Sequence, residues 1–199
     1  IRAGVYYYLT KPYDVEEMQS VVWAAIGDYA DYSSLRREIQ QHKKKIHLVR
    51  ESSFEIRTLG DARYLATFLA NYYPDSQRVV LGISELLINA VEHGNLGITY
   101  AEKSRLNKEG RWEEKIEALQ GLPENESKKV AVHFKRSDGD ITLTIVDDGD
   151  GFDWQQYMKI DPGRATHSHG RGIALSNMLS FDSIEYRGTG NEVVCTFNT

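Results

Sequence analysis

The sequence predicts an α+β fold: a two-layer sandwich of a mixed, mostly antiparallel sheet with helices on one face, preceded by a helical extension. Three observations predict it. From Phe54 onward, short strands and helices follow in the order strand, helix, helix, insertion, strand, strand, loop, helix, strand, strand. Two hairpin signals, Ser137-Asp138-Gly139-Asp140 and Gly188 to Gly190, each sit between alternating apolar runs. A length of 199 residues, with 41% apolar and 27% charged, suits one core plus an appendage and excludes a mainly disordered or fibrous chain.

Composition narrows the function classes. No apolar run approaches the roughly 20 residues of a membrane-spanning helix, and nothing near Ile1 has the pattern of a signal peptide. The single cysteine, Cys195, excludes an intrachain disulfide framework and any site built from several cysteines. A net charge of -5 gives no global attraction to nucleic acid. The expectation is a cytoplasmic protein with neither a membrane nor a nucleic-acid partner. Beginning at Ile1 and not at Met, it reads as a piece of a longer protein.

Val5-Tyr6-Tyr7-Tyr8-Leu9 is β-branched and aromatic and predicts a buried strand, closed by Lys11-Pro12. Asp14 caps a helix carrying Met18, Val21, Val22, Ala25 and Ile26 at helical spacing. One strand and one helix cannot bury a core. The run "AGVYYYLTKPYDVEEM" resembles the end of a response-regulator receiver domain, as in two-component signalling. The resemblance implies that residues 1–27 are a receiver remnant and that Lys11 is the lysine contacting a phosphorylated aspartate upstream. Residues 28–52 form a helical linker, in which Tyr32, Leu35, Ile39, His42, Ile46 and Val49 alternate spacings of three and four. That seam over 32–49 suits a homodimeric coiled coil or packing on the next domain. His42 lacks the sequence context and hairpin of a phosphoacceptor histidine, and reads as a solvated or seam residue.

Residues 53–199 form the main domain. Phe54 to Arg57 is a strand, and Asp61 to Tyr73 is a helix ended by Pro74. A second helix, capped by Asp75 or Ser76, runs to a natural stop at Gly94. Val130 to Phe134 pairs with Ile141 to Val146, and Ser183 to Tyr186 with Val193 to Phe197. The stretch 100–129 is an insertion with nearly balanced charge, expected to hold at least one helix around Glu113 to Leu119. It reads equally as a decorated loop on the sheet edge or as a surface for a partner.

Three boxes carry chemistry. On the second helix Glu85, Asn89 and His93 recur every four residues and share one face, among Leu81, Ile83, Leu86, Leu87 and Val91. A carboxylate there can orient or deprotonate a nucleophile, and a neutral amide oxygen can ligate a hard Mg²⁺ ion. Alone, the same spacing is also that of a plain polar stripe. The second box, Asp147-Asp148-Gly149-Asp150-Gly151, follows a strand and offers an acceptor beside backbone that a flat ring can approach. A calcium loop is excluded, because Phe152 falls where a ligand is needed and no closing glutamate follows. The third, His169-Gly170-Arg171-Gly172-Ile173, is a glycine turn opening a helix, with free amides suited to phosphate. His167 and His169, without companions, read as lid residues and not as metal ligands.

Taken together and in order, "ELLINAVEHGN", "DDGDGF" and "HGRGIAL" resemble the boxes of the Bergerat-fold (GHKL) ATPases, shared by sensor histidine kinases and gyrase. The short segment between the last two boxes, "DWQQYMKIDPGRATHS", is most similar to the anti-sigma-factor serine/threonine kinases. The resemblance implies the histidine-kinase-like ATPase fold, ATP and Mg²⁺ as cofactors, and Glu85 as general base or its orienting group. It implies Asn89 as Mg²⁺ ligand and Asp147, Gly149 and Gly151 around adenine. Gly170, Arg171 and Gly172 then face the phosphates, and His93 closes its box as a structural or phosphate-proximal residue. Asn191 stands where many relatives carry a threonine supporting adenine recognition, and its amide still hydrogen-bonds. The implied partner is an anti-sigma-factor antagonist-like protein or a sigma factor. Two other functions remain open: a nucleotide-gated binding module without phosphotransfer, and a sensor histidine kinase, which the missing phosphoacceptor hairpin disfavours.

Overall fold

The computed structural model describes residues 49–152, 154 and 180–199, together with 18, 19 and 22. Met18 and Val22 are helical, as their spacing predicts, and so is Gln19. The strand expected at 5–9, Lys11, the seam from Tyr32 to Ile46 and the glycine turn of Gly170, Arg171 and Gly172 lie outside the described residues.

The main domain opens with β1 (Glu51–Ile56), α1 (Leu59–Ala70) and α2 (Ser76–Asn89), and α2 runs on into a π-helix (Ala90–Asn95). Three helices follow in the insertion: α3 (Tyr100–Glu109), α4 (Trp112–Gln120) and α5 (Pro123–Glu126). The chain then forms β2 (Val130–Arg136), β3 (Asp140–Asp147), β4 (Ser183–Arg187) and β5 (Glu192–Asn198). The five strands lie in the order β1-β2-β3-β5-β4, and every pairing among the described strands is antiparallel.

Local chemistry fixes the helix ends. Thr58 Oγ1 accepts from the Asp61 amide at 3.0 Å, and the Asp61 carboxylate accepts from the Thr58 amide at 2.9 Å. This reciprocal cap starts α1 at Leu59, two residues before the expected Asp61. Of the two candidate caps for α2, Asp75 is the one that acts, accepting from the Arg78 amide at 3.0 Å. Gly94 is not the stop that the sequence suggests. It lies inside the π-helix, where Leu96 donates to the carbonyl of Val91 five residues back, and the left-handed turn comes at Gly97 (φ 64°).

The sheet buries one face. Phe134, Leu143, Cys195 and Ile184 are register partners and form a row across four strands. Val132, Ile145, Val193 and Tyr186 form the next row. Against these pack Leu65 and Leu69 of α1 and Val79, Ile83 and Leu87 of α2, all buried. Tyr73 wedges in with its ring edges toward Phe134 and Phe197, at 6.1 and 5.5 Å between centroids. The third row pairs Ile56 with Val130 and Val130 with Asp147, so strand alternation alone points Asp147 at the helical layer.

The insertion, expected to hold at least one helix around Glu113 to Leu119, holds three, with α4 covering that stretch, and it packs on the domain. Thr99 caps α3, accepting from Glu102, and Gly110 ends it at φ 67°. Leu106 and Ile116 are buried, and Trp112 and Leu119 pack against the core.

Candidate functional site

Where the third row runs out, the two layers leave a cavity of about 400 Å³. Its walls come from four places. Asn89, Ala90, His93 and Gly94 line it from the end of α2 and the π-helix. Ile98, Thr99 and Ala101 line it from the start of the insertion, while Asp147, Gly151 and Phe152 come from the end of β3 and beyond. Tyr186, Asn191 and Val193 close it from the last hairpin. The size and mixed lining are those of a small-molecule site.

The first and second boxes interlock through glycine. A Cβ on Gly94 would stand 2.4 Å from Cγ of Asp147, and one on Gly149 would stand 2.3 Å from the carbonyl oxygen of Gly94. Only hydrogen fits at either position. Asn95, 3% exposed, completes the junction by accepting from the Asp148 amide at 2.8 Å. Lys128 donates to the Asn95 carbonyl at 2.8 Å, and the Lys129 amide donates to Asp148 at 2.9 Å. The acidic loop is thus tied to the helix that carries Asn89.

Asp147 is the electrostatic centre. Its Oδ1 accepts from the Gly149 amide at 2.9 Å. Burial pushes its carboxyl up to about 6; the Gly149 hydrogen bond opposes that rise, the Asp148 charge adds to it and Lys128 opposes it. A desolvated acceptor at the base of a cavity is a strong partner for an exocyclic amino group. Asn191 donates from Nδ2 to the Asp147 carbonyl at 3.3 Å and accepts from Thr189 Oγ1 at 3.2 Å. It therefore braces the strand end that carries Asp147, and it also lines the cavity.

His93 pairs through Nδ1 with the Ile98 carbonyl. A carbonyl only accepts, so Nδ1 carries the proton, and the ring ties the π-helix to the loop ahead of α3. Glu85 lies one turn before Asn89 on α2, half-buried, and is not among the residues lining the cavity. The structure thus brings together Asn89, His93, Asp147, Gly151 and Asn191, with Gly149 behind Asp147 and Glu85 one turn away. Sequence reasoning missed the wall residues Thr99, Ala101, Phe152 and Tyr186, and gave Gly94 and Asn95 no site role.

Among the described residues no group of three or more His, Cys, Asp or Glu side chains could hold a metal ion. Mg²⁺ asks for less, because it keeps most of its waters and takes substrate phosphates as ligands. Asn89, facing the cavity, fits such a site as a protein ligand. Among the described residues, too, no helix is long and apolar enough to cross a membrane.

The Asp147 geometry gives a pH prediction. Only the ionised carboxylate accepts a hydrogen bond through both oxygens, and in the free protein it gains a proton as pH falls through about 6. ATP affinity is therefore expected to fall between pH 7 and 5, and Asp147→Asn to cost about 1–3 kcal/mol of binding at pH 7. Calorimetric titrations of both proteins across that range check it. The phosphates of ATP titrate identically in the two series, so the difference isolates Asp147. Parallel pH profiles would remove the carboxylate from recognition.

The family comparison agrees with this geometry. The histidine kinase-like ATPase domain matches residues 29–197, and the chain belongs to that family. No curated protein matches the chain. As a domain of this family it binds ATP.

Proposed function

We propose that this histidine kinase-like ATPase domain is a Mg²⁺-dependent serine/threonine protein kinase of the anti-sigma-factor type, governed by an upstream receiver domain in a bacterial signalling pathway. One observation carries the reading: a half-buried acceptor, Asp147, interlocks through Gly94 with the helix that presents Asn89 to the same cavity. In this reading adenine lies at the Asp147 end of the site and the phosphates toward Asn89. The shortness of residues 153–168 between the second and third boxes supports the anti-sigma subclass. The substrate is a serine or threonine hydroxyl of an antagonist-like protein.

In the reaction the hydroxyl oxygen bonds to the γ-phosphorus as the bond to the β–γ bridging oxygen breaks, ADP leaves, and the hydroxyl proton passes to Glu85. Mg²⁺, when bound, neutralises charge on the phosphate oxygens, and Asn89 orients it. Asp147 holds the base, Gly149 steadies its carboxylate from behind, Gly151 lets the ring approach, and His93 fixes the wall beside it. Gly170, Arg171 and Gly172 supply phosphate contacts by resemblance. Positioning and charge neutralisation account for most of the rate.

A second reading, a nucleotide-gated module that sequesters a partner without phosphotransfer, is favoured by one observation. Thr99 and Ala101 of the insertion line the cavity, so the bound nucleotide touches a segment with its own exposed helical surface. Incubation with γ-labelled ATP and a candidate antagonist-like protein separates the two. Acid-stable label on a serine or threonine supports the kinase. ATP-dependent co-elution without label supports the binding module.

A further inference from the structure

Glu92 is among the largest fully buried side chains of the domain, 2% exposed, and lies on the π-helix between Asn89 and the end of that helix. Its carboxylate pairs with Lys103 Nζ, from the second turn of α3. Arg63 of α1 adds a more distant attraction. Buried ion pairs of this kind add little net stability, because desolvation offsets the attraction and an apolar pair of equal volume does as well. What the pair does have is a place. Glu92 neighbours His93 and follows Asn89 by three residues, while Lys103 follows Ala101 by two and Thr99 by four. All four of those neighbours line the nucleotide cavity. The pair therefore joins two walls that the sequence separates by a loop.

Further contacts make the junction stiff. The Ile98 amide donates to the Glu92 carbonyl at 3.0 Å, and His93 donates to the Ile98 carbonyl. Beyond the pair, the Lys103 ammonium stands 5.2 Å from the centre of the Trp112 ring, and Lys115 of α4 reaches Glu102 of α3 at 3.4 Å. Trp112 in turn packs against the core. Removing the Lys103 charge leaves Glu92 buried without its main partner, so that it takes up a proton or draws in water; either way the tie that holds α3 against the π-helix is lost, and α3 is free to shift outward. That movement carries Thr99 and Ala101 away from the cavity.

We propose that Lys103, acting through Glu92, is a positioning residue for nucleotide binding, holding the first inserted helix in place as a wall of the ATP cavity. The proposal rests on the nucleotide reading of that cavity. It makes the insertion part of the site, and it assigns a nucleotide-linked role to two residues outside the three boxes.

The test is ATP titration by calorimetry on the full chain, beside thermal denaturation followed by circular dichroism. Lys103→Met, which keeps the stem over Trp112, is expected to bind ATP about tenfold more weakly at a temperature where it is folded, within the usual range for linked sites. Lys103→Arg restores the affinity. The double variant Glu92→Gln/Lys103→Met removes both charges; its melting temperature returns toward wild type while its ATP affinity stays reduced. The double variant carries the test if Lys103→Met does not fold. Wild-type affinity in folded Lys103→Met, or an affinity that recovers together with the melting temperature in the double variant, overturns the proposal and makes the pair merely structural. Absence of ATP binding by the wild type is a different result: it overturns the nucleotide reading, and the proposal with it.

Discussion

Gly94→Ala is expected to abolish measurable ATP binding and to destabilise the fold by about 1–3 kcal/mol, the range for forcing a methyl group into a filled site. The added Cβ would meet Cγ of Asp147 at 2.4 Å and its two carboxylate oxygens at 2.5 and 2.8 Å. The carboxylate cannot yield without giving up its acceptor position. It stands in the third core row beside Val130 and is held by the Gly149 amide, and Gly149 itself has no room against the Gly94 carbonyl. Either Asp147 turns out of its acceptor position or the π-helix lifts from β3, and both outcomes disassemble the adenine end of the cavity. Gly139→Ala is the control: open space surrounds that position, and its effect is expected within about ±0.5 kcal/mol. Urea denaturation and calorimetric titration of the two variants check the contrast. Wild-type ATP affinity in Gly94→Ala would show that Asp147 is not where adenine is read.

Much of this was legible before any coordinates. Ile141, Leu143 and Ile145 alternate into Asp147, so period-two reasoning already aims that carboxylate inward, and the register confirms it. Asp75 and the two hairpins announce themselves by local chemistry. The π-helix does not. Glu85, Asn89 and His93 keep a spacing of four, and nothing in "AVEHGN" says that the backbone widens there. The features that mark it are tertiary: Gly94 pressed on Asp147, and Asn95 reaching to Asp148 across 53 residues of sequence. Gly94 misleads for the same reason, since a glycine after a helix usually means a left-handed turn and here means a close approach. In the insertion, α3 is mostly polar and buries Leu106, so its hydrophobic period is faint; the Thr99 cap and the Gly110 stop were the readable signals. The Glu92–Lys103 pair, a short range in sequence, is hidden because a Glu and a Lys on two helices are individually ordinary.

The sharpest contrast on one helix is expected between Glu85 and Asn89. Asn89 lines the cavity and Glu85, one turn earlier, does not. A group in the wall acts on the bound nucleotide, while a half-buried group beyond it acts on what arrives at the far end of the phosphates. Asn89→Ala removes a neutral ligand of a hard cation, so ATP binding in Mg²⁺ weakens toward its value in EDTA. Glu85→Ala removes the group that takes the substrate proton, so ATP binds as before while phosphate transfer falls by about 10²-fold or more. Ser84 and Leu86 flank Glu85 and are buried, so each variant is first shown folded by its denaturation curve. Binding is read by calorimetry with and without Mg²⁺, and transfer by single-turnover labelling of the antagonist-like protein. Wild-type transfer in Glu85→Ala removes the carboxylate from the chemistry. Loss of ATP binding in that variant places Glu85 with the nucleotide instead, and leaves the proton acceptor to be sought on the protein substrate.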